Sequence, residues 1–328
     1  MPVTDMDLIT PLYDAMMVHR HEYDSGDTDY SVTTLLDPPR VVHLNKRHIN
    51  DCDLFIQDLM HSWDGTAAHH YLEYCLNKVN DPHSPGKKYT LEKRYHMVVA
   101  DRKVSGCYDV LLNANLSLWD LKKTSTWKHV FGDKIDWTAQ QNMYRYLSWQ
   151  KDAVVFKELN IMAFYRDWSK YNKMRYGAKY PYHPIMQYRL PIWSMNKTHA
   201  YMMERVELLK SYEGTPDDNL PECTVKDMWC DPDKYAIKAD NRKNALRVCD
   251  SMAAAIDWQE KYLENPKCKH KIAQLSIEYR PSERTRCEHW CPVRDYCNQF
   301  HTYLKSVATF NELRLEAAPI AQAVNGGL

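Results

Sequence analysis

The stretch that decides the fold reads Gly106-Cys107-Tyr108-Asp109-Val110-Leu111-Leu112, then Asn113-Ala114-Asn115, then Leu116-Ser117-Leu118-Trp119-Asp120-Leu121-Lys122. Two runs of strand-forming residues are parted by Asn-Ala-Asn, the punctuation of a hairpin. Just upstream, Tyr95-His96-Met97-Val98-Val99 is a third run, set off by Asp101-Arg102-Lys103. A three-stranded meander is expected. Residues two apart on a strand face the same side, so Asp120 and Lys122 point together, and a hairpin neighbour brings Asp109 beside them. Paired carboxylates repel unless a hard divalent cation bridges them. Mg2+ or Mn2+ takes such oxygen ligands and keeps positions for water and phosphate.

Working outward, Ile49, Leu54, Ile56, Leu59 and Met60 suit a helix over 48–63, and Thr66 to Val79 a second, with Gly65 between them. Asp136 is placed to cap a helix running through Gln140, Tyr144 and Leu147. Leu159 to Tyr165 and Ile185 to Ile192 read as strands, and Thr198 to Tyr212 as a long helix. This order predicts an α/β fold with a central mixed β-sheet flanked by helices, not a repeating βαβ barrel. Glu213-Gly214-Thr215-Pro216-Asp217-Asp218 reads as a surface linker. It divides the chain into residues 1–212 and 213–328, the second holding seven of the ten cysteines.

Composition removes several classes. The 328 residues, 44% hydrophobic and 26% charged, describe an ordinary folded protein. No run approaches the roughly 18–20 apolar residues of a membrane helix, and mean hydropathy is -0.64. The opening residues lack an apolar run after a basic start, so a cytoplasmic protein is expected. With only nine glycines there is no Gly-rich phosphate loop of the GxxxxGK[ST] or GxGxxG kind, which removes support for ATP or dinucleotide binding. Charge is balanced, 43 basic against 43 acidic, which neither supports nor removes nucleic acid as a partner.

Four short patterns occur in order: Gly65-x3-His69, Gly106-x2-Asp109, Asp120-x-Lys122 and Gln140-x3-Tyr144. His69 and Glu73 stand one helical turn apart, as do Gln140 and Tyr144. In this order and at these separations the series resembles the RecB/Cas4-like branch of the PD-(D/E)XK nuclease superfamily, particularly its phage-type exonucleases. The resemblance covers roughly Ser31 to Trp168, with looser similarity in the cysteine-bearing part. It implies a restriction-endonuclease-like core, with His69, Asp109, Asp120 and the Leu121 carbonyl holding Mg2+ or Mn2+. Lys122 becomes the catalytic base or water-orienting group, and Gln140 and Tyr144 contact the DNA backbone. The family often carries Glu where Asp120 stands. His70 is the rival of His69; by the bland reading, His70 and Glu73 are a surface histidine and a helix-face charge.

Cys287, Cys291 and Cys297 fall within eleven residues, a spacing at which thiolates converge on one soft metal or an iron–sulfur cluster. Nucleases of this resemblance close such a cluster with a distant N-terminal cysteine. The matching segment here, Ser31-Val32-Thr33-Thr34-Leu35-Leu36-Asp37-Pro38-Pro39-Arg40, has proline at that place. Cys223 is the preferred fourth ligand of a [4Fe-4S] cluster that fastens the C-terminal segment to the core, with Cys268 and Cys230 behind it. Zinc at the same thiols, or plain reduced cysteines, are the alternatives. Cys52, Cys75, Cys107 and Cys249 read as core.

Tyrosine numbers 23 and tryptophan 10, and Tyr171 to Tyr188 mixes tyrosine with lysine and arginine. Such mixing suits stacking on single-stranded or frayed DNA, although half-buried surfaces use the same residues. The expected protein is therefore a metal-dependent DNA exonuclease acting on linear ends, in phage-type replication, recombination or repair, with a recombination protein as a possible partner. The alternatives are an endonuclease of the same fold and a catalytically silent DNA-binding or partner-recruiting protein.

Overall fold

The computed structural model describes residues 27–48, 51, 56–80, 83, 86–130, 132, 134–240, 242, 244–266 and 268–309, with Ala15 and Val18 beside them. Ile49, Cys52 and Leu54 lie outside the described residues. In chain order the strands are β1 (Tyr30–Ser31), β2 (Tyr89–Val99), β3 (Arg102–Leu112), β4 (Ser117–Thr124), β5 (Glu158–Tyr165), β6 (Ile185–Leu190), β7 (Lys234–Ala239), β8 (Arg247–Cys249) and β9 (Leu275–Arg280). The principal helices are α1 (Pro39–His48), α2 (Ile56–Val79), α3 (Ile135–Asp152), α4 (Lys170–Tyr176), α5 (Met195–Ser211) and α6 (Met252–Glu264).

The chain divides into two units, residues 1–37 with 53–214 and residues 38–52 with 215–328. The break after Gly214 falls inside the linker read from the sequence. Residues 38–52, expected in the first part, belong to the second. The physical reason is local: Arg47 and His48, in the last turn of α1, both pair with Asp217.

The first unit is a six-stranded mixed sheet flanked by helices. β2 and β4 run antiparallel to β3, β1 and β3 are parallel, β5 is parallel to β4, and β6 is antiparallel to β5. The expected meander is β2, β3 and β4. Its first turn places Ala100 (φ 44°) and Asp101 (φ 65°) in left-handed conformations, the two-residue arrangement whose twist matches that of the strands it joins. Val99 and Arg102 close that hairpin. Parallel β4 and β5 require a crossover, and α3 supplies it.

Gly106 sets how closely α3 approaches the sheet. A Cβ there would lie 2.9 Å from Tyr144 Cε1, 2.9 Å from Val32 Cγ2 and 3.0 Å from Leu147 Cδ1, so only glycine fits. Alternation then turns Cys107 and Asp109 to the opposite face, where α2 packs on β2 and β4. Between the layers Val104, Leu118, Met143, Leu147, Phe156, Leu159 and Ile161 are fully buried.

Three helix expectations differ from the structure. A single helix, α2, runs through Gly65, because one open-sided glycine costs about 1 kcal/mol of helix propensity without ending a long helix. His48 closes α1 instead of opening a helix. Lys134, not Asp136, occupies the N-cap of α3; Asp136 sits in the first turn, where its charge favours the helix dipole.

In the second unit β8, β7 and β9 form an antiparallel sheet. Ile237, Cys249 and Ala255 make its small core, with Tyr235, Leu246, Trp258 and Ile277 packed around them. No helix among the described residues is long and apolar enough to cross a membrane.

Candidate metal centre and cysteine cavity

The carboxylate site follows from strand register. In the β2–β3 ladder Leu91 faces Val110 and Lys93 faces Tyr108, which sets Glu92 across from Asp109. In the β3–β4 ladder Val110 faces Trp119, and the next step sets Asp120 across from Asp109. Opposite residues share a face, so Glu92, Asp109 and Asp120 form one row across three strands. The β3–β4 backbone ladder stops at Val110. Beyond it the Leu121 N–H donates instead to Asp109 Oδ2 at 2.7 Å. The strands part at the acidic pair.

α2 brings His69 over this row. Its Nδ1 lies 3.3 Å from Asp109 Oδ2 and 4.0 Å from Glu92 Oε1, and one ligand atom from each of the three residues falls within 4.8 Å of the others. Lys122 Nζ is 2.9 Å from Asp120 Oδ2. Lys122 is thus the charged partner of Asp120, which is only 2% exposed.

The charges respond accordingly. Burial, then the Asp120 charge, holds the Asp109 carboxyl well above the usual range, against the Lys122 ammonium and the Leu121 N–H. Burial likewise raises Glu92, with Glu73 and Asp120 adding to the effect. Burial lowers His69, leaving a neutral ring whose lone pair suits a metal. Burial also works against the Lys122 ammonium, but the Asp120 and Asp109 charges prevail and its pKa is raised.

The structure thus brings His69, Asp109, Asp120, Leu121 and Lys122 together, and adds Glu92, which sequence reasoning missed. Glu92 has φ 44° within β2, an uncommon conformation for a residue other than glycine and one concentrated at functional sites. Counting back along the hairpin from the Ala100-Asp101 turn is the signal that places it opposite Asp109. His70 is 72% exposed in its side chain and pairs only loosely, at 3.9 Å, with Glu73.

Gln140 and Tyr144 are placed differently from expectation. Gln140 Nε2 donates to Tyr144 Oη at 2.9 Å, and the two residues are 4% and 5% exposed. The tight seat of α3 on Gly106 covers them, so neither offers a polar surface to a DNA backbone in this structure. Burial and the Asp120 and Asp109 charges keep the Tyr144 hydroxyl protonated. Cys107, expected in the core, is half-buried beside the acidic row. Its Sγ lies 3.6 Å from Glu92 Oε2, and burial pushes the thiol up to about 12. Cys75 is also half-buried, whereas Cys249 is core as expected.

In the second unit Cys223, Cys287, Cys291 and Cys297 line a single cavity, with Met228, Val293 and Phe300 among its apolar walls. Cys230 and Cys268 do not line it. Burial pushes Cys223 up to about 12 and Cys287 up to about 11, which favours the protonated form of these two thiols. The sequence reading missed Arg40, which is 2% exposed and reaches this cavity from α1. Its Nε donates to the Pro221 carbonyl at 3.1 Å, its Nη2 to the Leu220 carbonyl, and its Nη1 to Asn298, with Cys297 Sγ 4.0 Å away. No three cysteine sulfurs among the described residues all lie within 4.8 Å of one another. A single zinc demands sulfur separations of about 3.8 Å, whereas a cubane carries its thiolates on separate irons.

No protein-family model matches the chain. No curated protein matches it either. Among solved structures, one described as "Crystal structure of SSO0001" is similar at a TM-score of 0.40 and 15% identity, over 63% of this chain and 86% of that one. A likeness at this level says nothing about activity.

Proposed function

We propose that the six-stranded unit is a metal-dependent DNA exonuclease with a restriction-endonuclease-like core of the RecB/Cas4-like PD-(D/E)XK type. One observation carries this reading: the Glu92, Asp109 and Asp120 row, capped by His69 and flanked by Lys122. The donor set, three carboxylates and a neutral imidazole, fits Mg2+ or Mn2+. A divalent cation bound there supplies Lewis acidity toward a phosphodiester.

The chain's own residues do the rest. Asp120 and Asp109 fix the cation's position through two strands of one rigid sheet, and His69 closes the site from α2. Lys122, kept as an ammonium by its acidic neighbours, orients the attacking water and offsets charge growing on the phosphate; it is a poor base in that state. Gln140 and Tyr144 support the wall behind the carboxylates. In the second unit, Cys223, Cys287, Cys291 and Cys297 hold a [4Fe-4S] cluster, with zinc as the lesser alternative. That cluster has a structural role and takes no part in bond cleavage.

The test is degradation of end-labelled linear DNA with Mg2+, Mn2+ or EDTA, alongside a closed circle and the Asp120→Ala and Lys122→Ala proteins. Metal-dependent loss of linear DNA that spares the circle and disappears in both variants supports the exonuclease. Cutting of the circle makes it an endonuclease. Retained cleavage in the variants refutes the site, and no cleavage with any metal leaves a DNA-binding or partner-recruiting protein.

A further inference from the structure

The acidic row leaves unused a surface that begins a few residues beyond it. From Trp168 to Arg189 there is no Asp or Glu against five Lys or Arg, in a chain whose totals balance at 43 each. The same segment presents its rings to solvent: Tyr171 is 70% exposed, Tyr182 65% and Tyr176 42%. Trp127, 54% exposed, joins them with its ring 6.5 Å from that of Tyr176, and Tyr176 in turn stacks on Tyr180 at 6.2 Å. Cations stand over the rings, Lys173 Nζ at 4.5 Å from the Tyr182 centroid and the Arg175 guanidinium at 5.3 Å from that of Tyr176.

The platform is held from beneath. Asp167 accepts hydrogen bonds from Ser125 at 2.6 Å and from the Thr126 N–H at 2.7 Å, tying the end of β4 to the end of β5. The Trp168 indole donates to the Pro181 carbonyl at 2.9 Å, and the Tyr180 hydroxyl donates to the Asp167 carbonyl at 3.2 Å. The Ser169 side chain caps α4. Ordering entropy is thus largely spent before any ligand arrives. Trp127 follows Lys122 by five residues, at most about 18 Å of extended chain.

We propose that this surface binds single-stranded DNA, stacking unpaired bases on Tyr171, Tyr176 and Tyr182 while Lys173, Arg175 and Lys179 take the phosphates. The charge selects a polyanion, and the rings select one with open base faces, which a duplex does not offer. Only the choice of DNA as the polyanion rests on the nuclease reading.

The experiment measures fluorescence anisotropy of labelled oligothymidylate in EDTA, where no cleavage occurs, with a duplex and oligouridylate as competitors. Tyr171→Ala and Tyr182→Ala, both at exposed positions, are each expected to weaken binding roughly 5- to 100-fold. Lys173→Glu is expected to weaken it and flatten its salt dependence. Unchanged affinity in both tyrosine variants, with circular dichroism like the parent's, overturns the proposal, as does tighter binding of duplex or of oligouridylate. Tyrosine-dependent binding by a protein that cuts nothing upholds this surface and refutes only the nuclease, whereas cleavage with tyrosine-independent binding does the reverse.

Discussion

The acidic row of the first unit and the cysteine cavity of the second both gather side chains of metal-ligating type, and they are built in opposite ways. Glu92, Asp109 and Asp120 sit on adjacent strands, so hydrogen-bond register alone brings them together. Cys223, Cys287, Cys291 and Cys297 sit outside the strands, on a loop, a one-turn helix and the turns that follow it, gathered around an arginine that reaches in from α1. In the first cluster burial and the neighbouring charge raise the Asp109 and Glu92 carboxyls; in the second, burial raises the Cys223 and Cys287 thiols. A site fixed by register is rigid before its ligand arrives, and a site fixed by loops depends on its ligand for part of its order.

The sharpest way to break the comparison is catalytic. Asp120→Ala is expected to lower cleavage of linear DNA at least about 10³-fold, measured as single-turnover rate at saturating Mn2+, because it removes cation and water geometry together. The same substitution should leave the metal content of the cysteine cavity unchanged. Cys287→Ser does the converse: after anaerobic purification it is expected to lose iron and visible absorption, and to raise proteolysis of the second unit, while Mn2+ binding by the first persists. Loss of Mn2+ binding in Cys287→Ser would show that the two sites are not independent.

Glu92→Gln is the intermediate case. It should weaken Mn2+ binding by about 10- to 100-fold in calorimetry if Glu92 ligates directly or holds a ligand. Unchanged affinity would return the site to His69, Asp109 and Asp120 alone.

Smaller effects sharpen the contrast in packing. Gly106→Ala drives a methyl into Tyr144, Val32 and Leu147, so thermal or denaturant unfolding should show a loss of about 1–3 kcal/mol. Gly65→Ala meets nothing within 4 Å on α2 and should instead stabilise by up to about 1 kcal/mol. The same substitution thus has opposite signs at two glycines of the motif series.

The smallest effect is in pH. Asp109 holds its proton more tightly in the folded, metal-free protein than in the unfolded chain, where a carboxyl titrates near 4. The folded state then binds the extra proton, so metal-free stability should fall as pH rises from about 4 toward the raised value. Saturating Mn2+ is expected to reverse that slope, and Asp109→Asn to flatten it while abolishing metal binding. Urea midpoints across the acidic range, with and without Mn2+, measure both.

Much of the fold was legible in local pattern. The meander, the α3 crossover, β5, β6 and α5 each announce themselves through alternation, helical periodicity or turn residues spanning a few positions. Gly65 misled for a related reason: a glycine weakens helix propensity locally, but a helix of 24 residues carries it. Asp120 and Lys122 were readable because alternation on one strand fixes their common face.

What the sequence by itself determined is the set of short-range facts, namely the strands, the pairing of Asp120 with Lys122, and the close spacing of Cys287, Cys291 and Cys297. Only the tertiary structure decided which distant groups join them. Glu92 enters through hairpin register and a left-handed backbone, His69 through the seat of α2, and Arg40 through the inclusion of α1 in the second unit. The burial of Gln140 and Tyr144 came from the approach of α3 to Gly106. Each of these depends on distances between segments remote in sequence. Local propensities leave those distances free, and packing and hydrogen-bond register fix them.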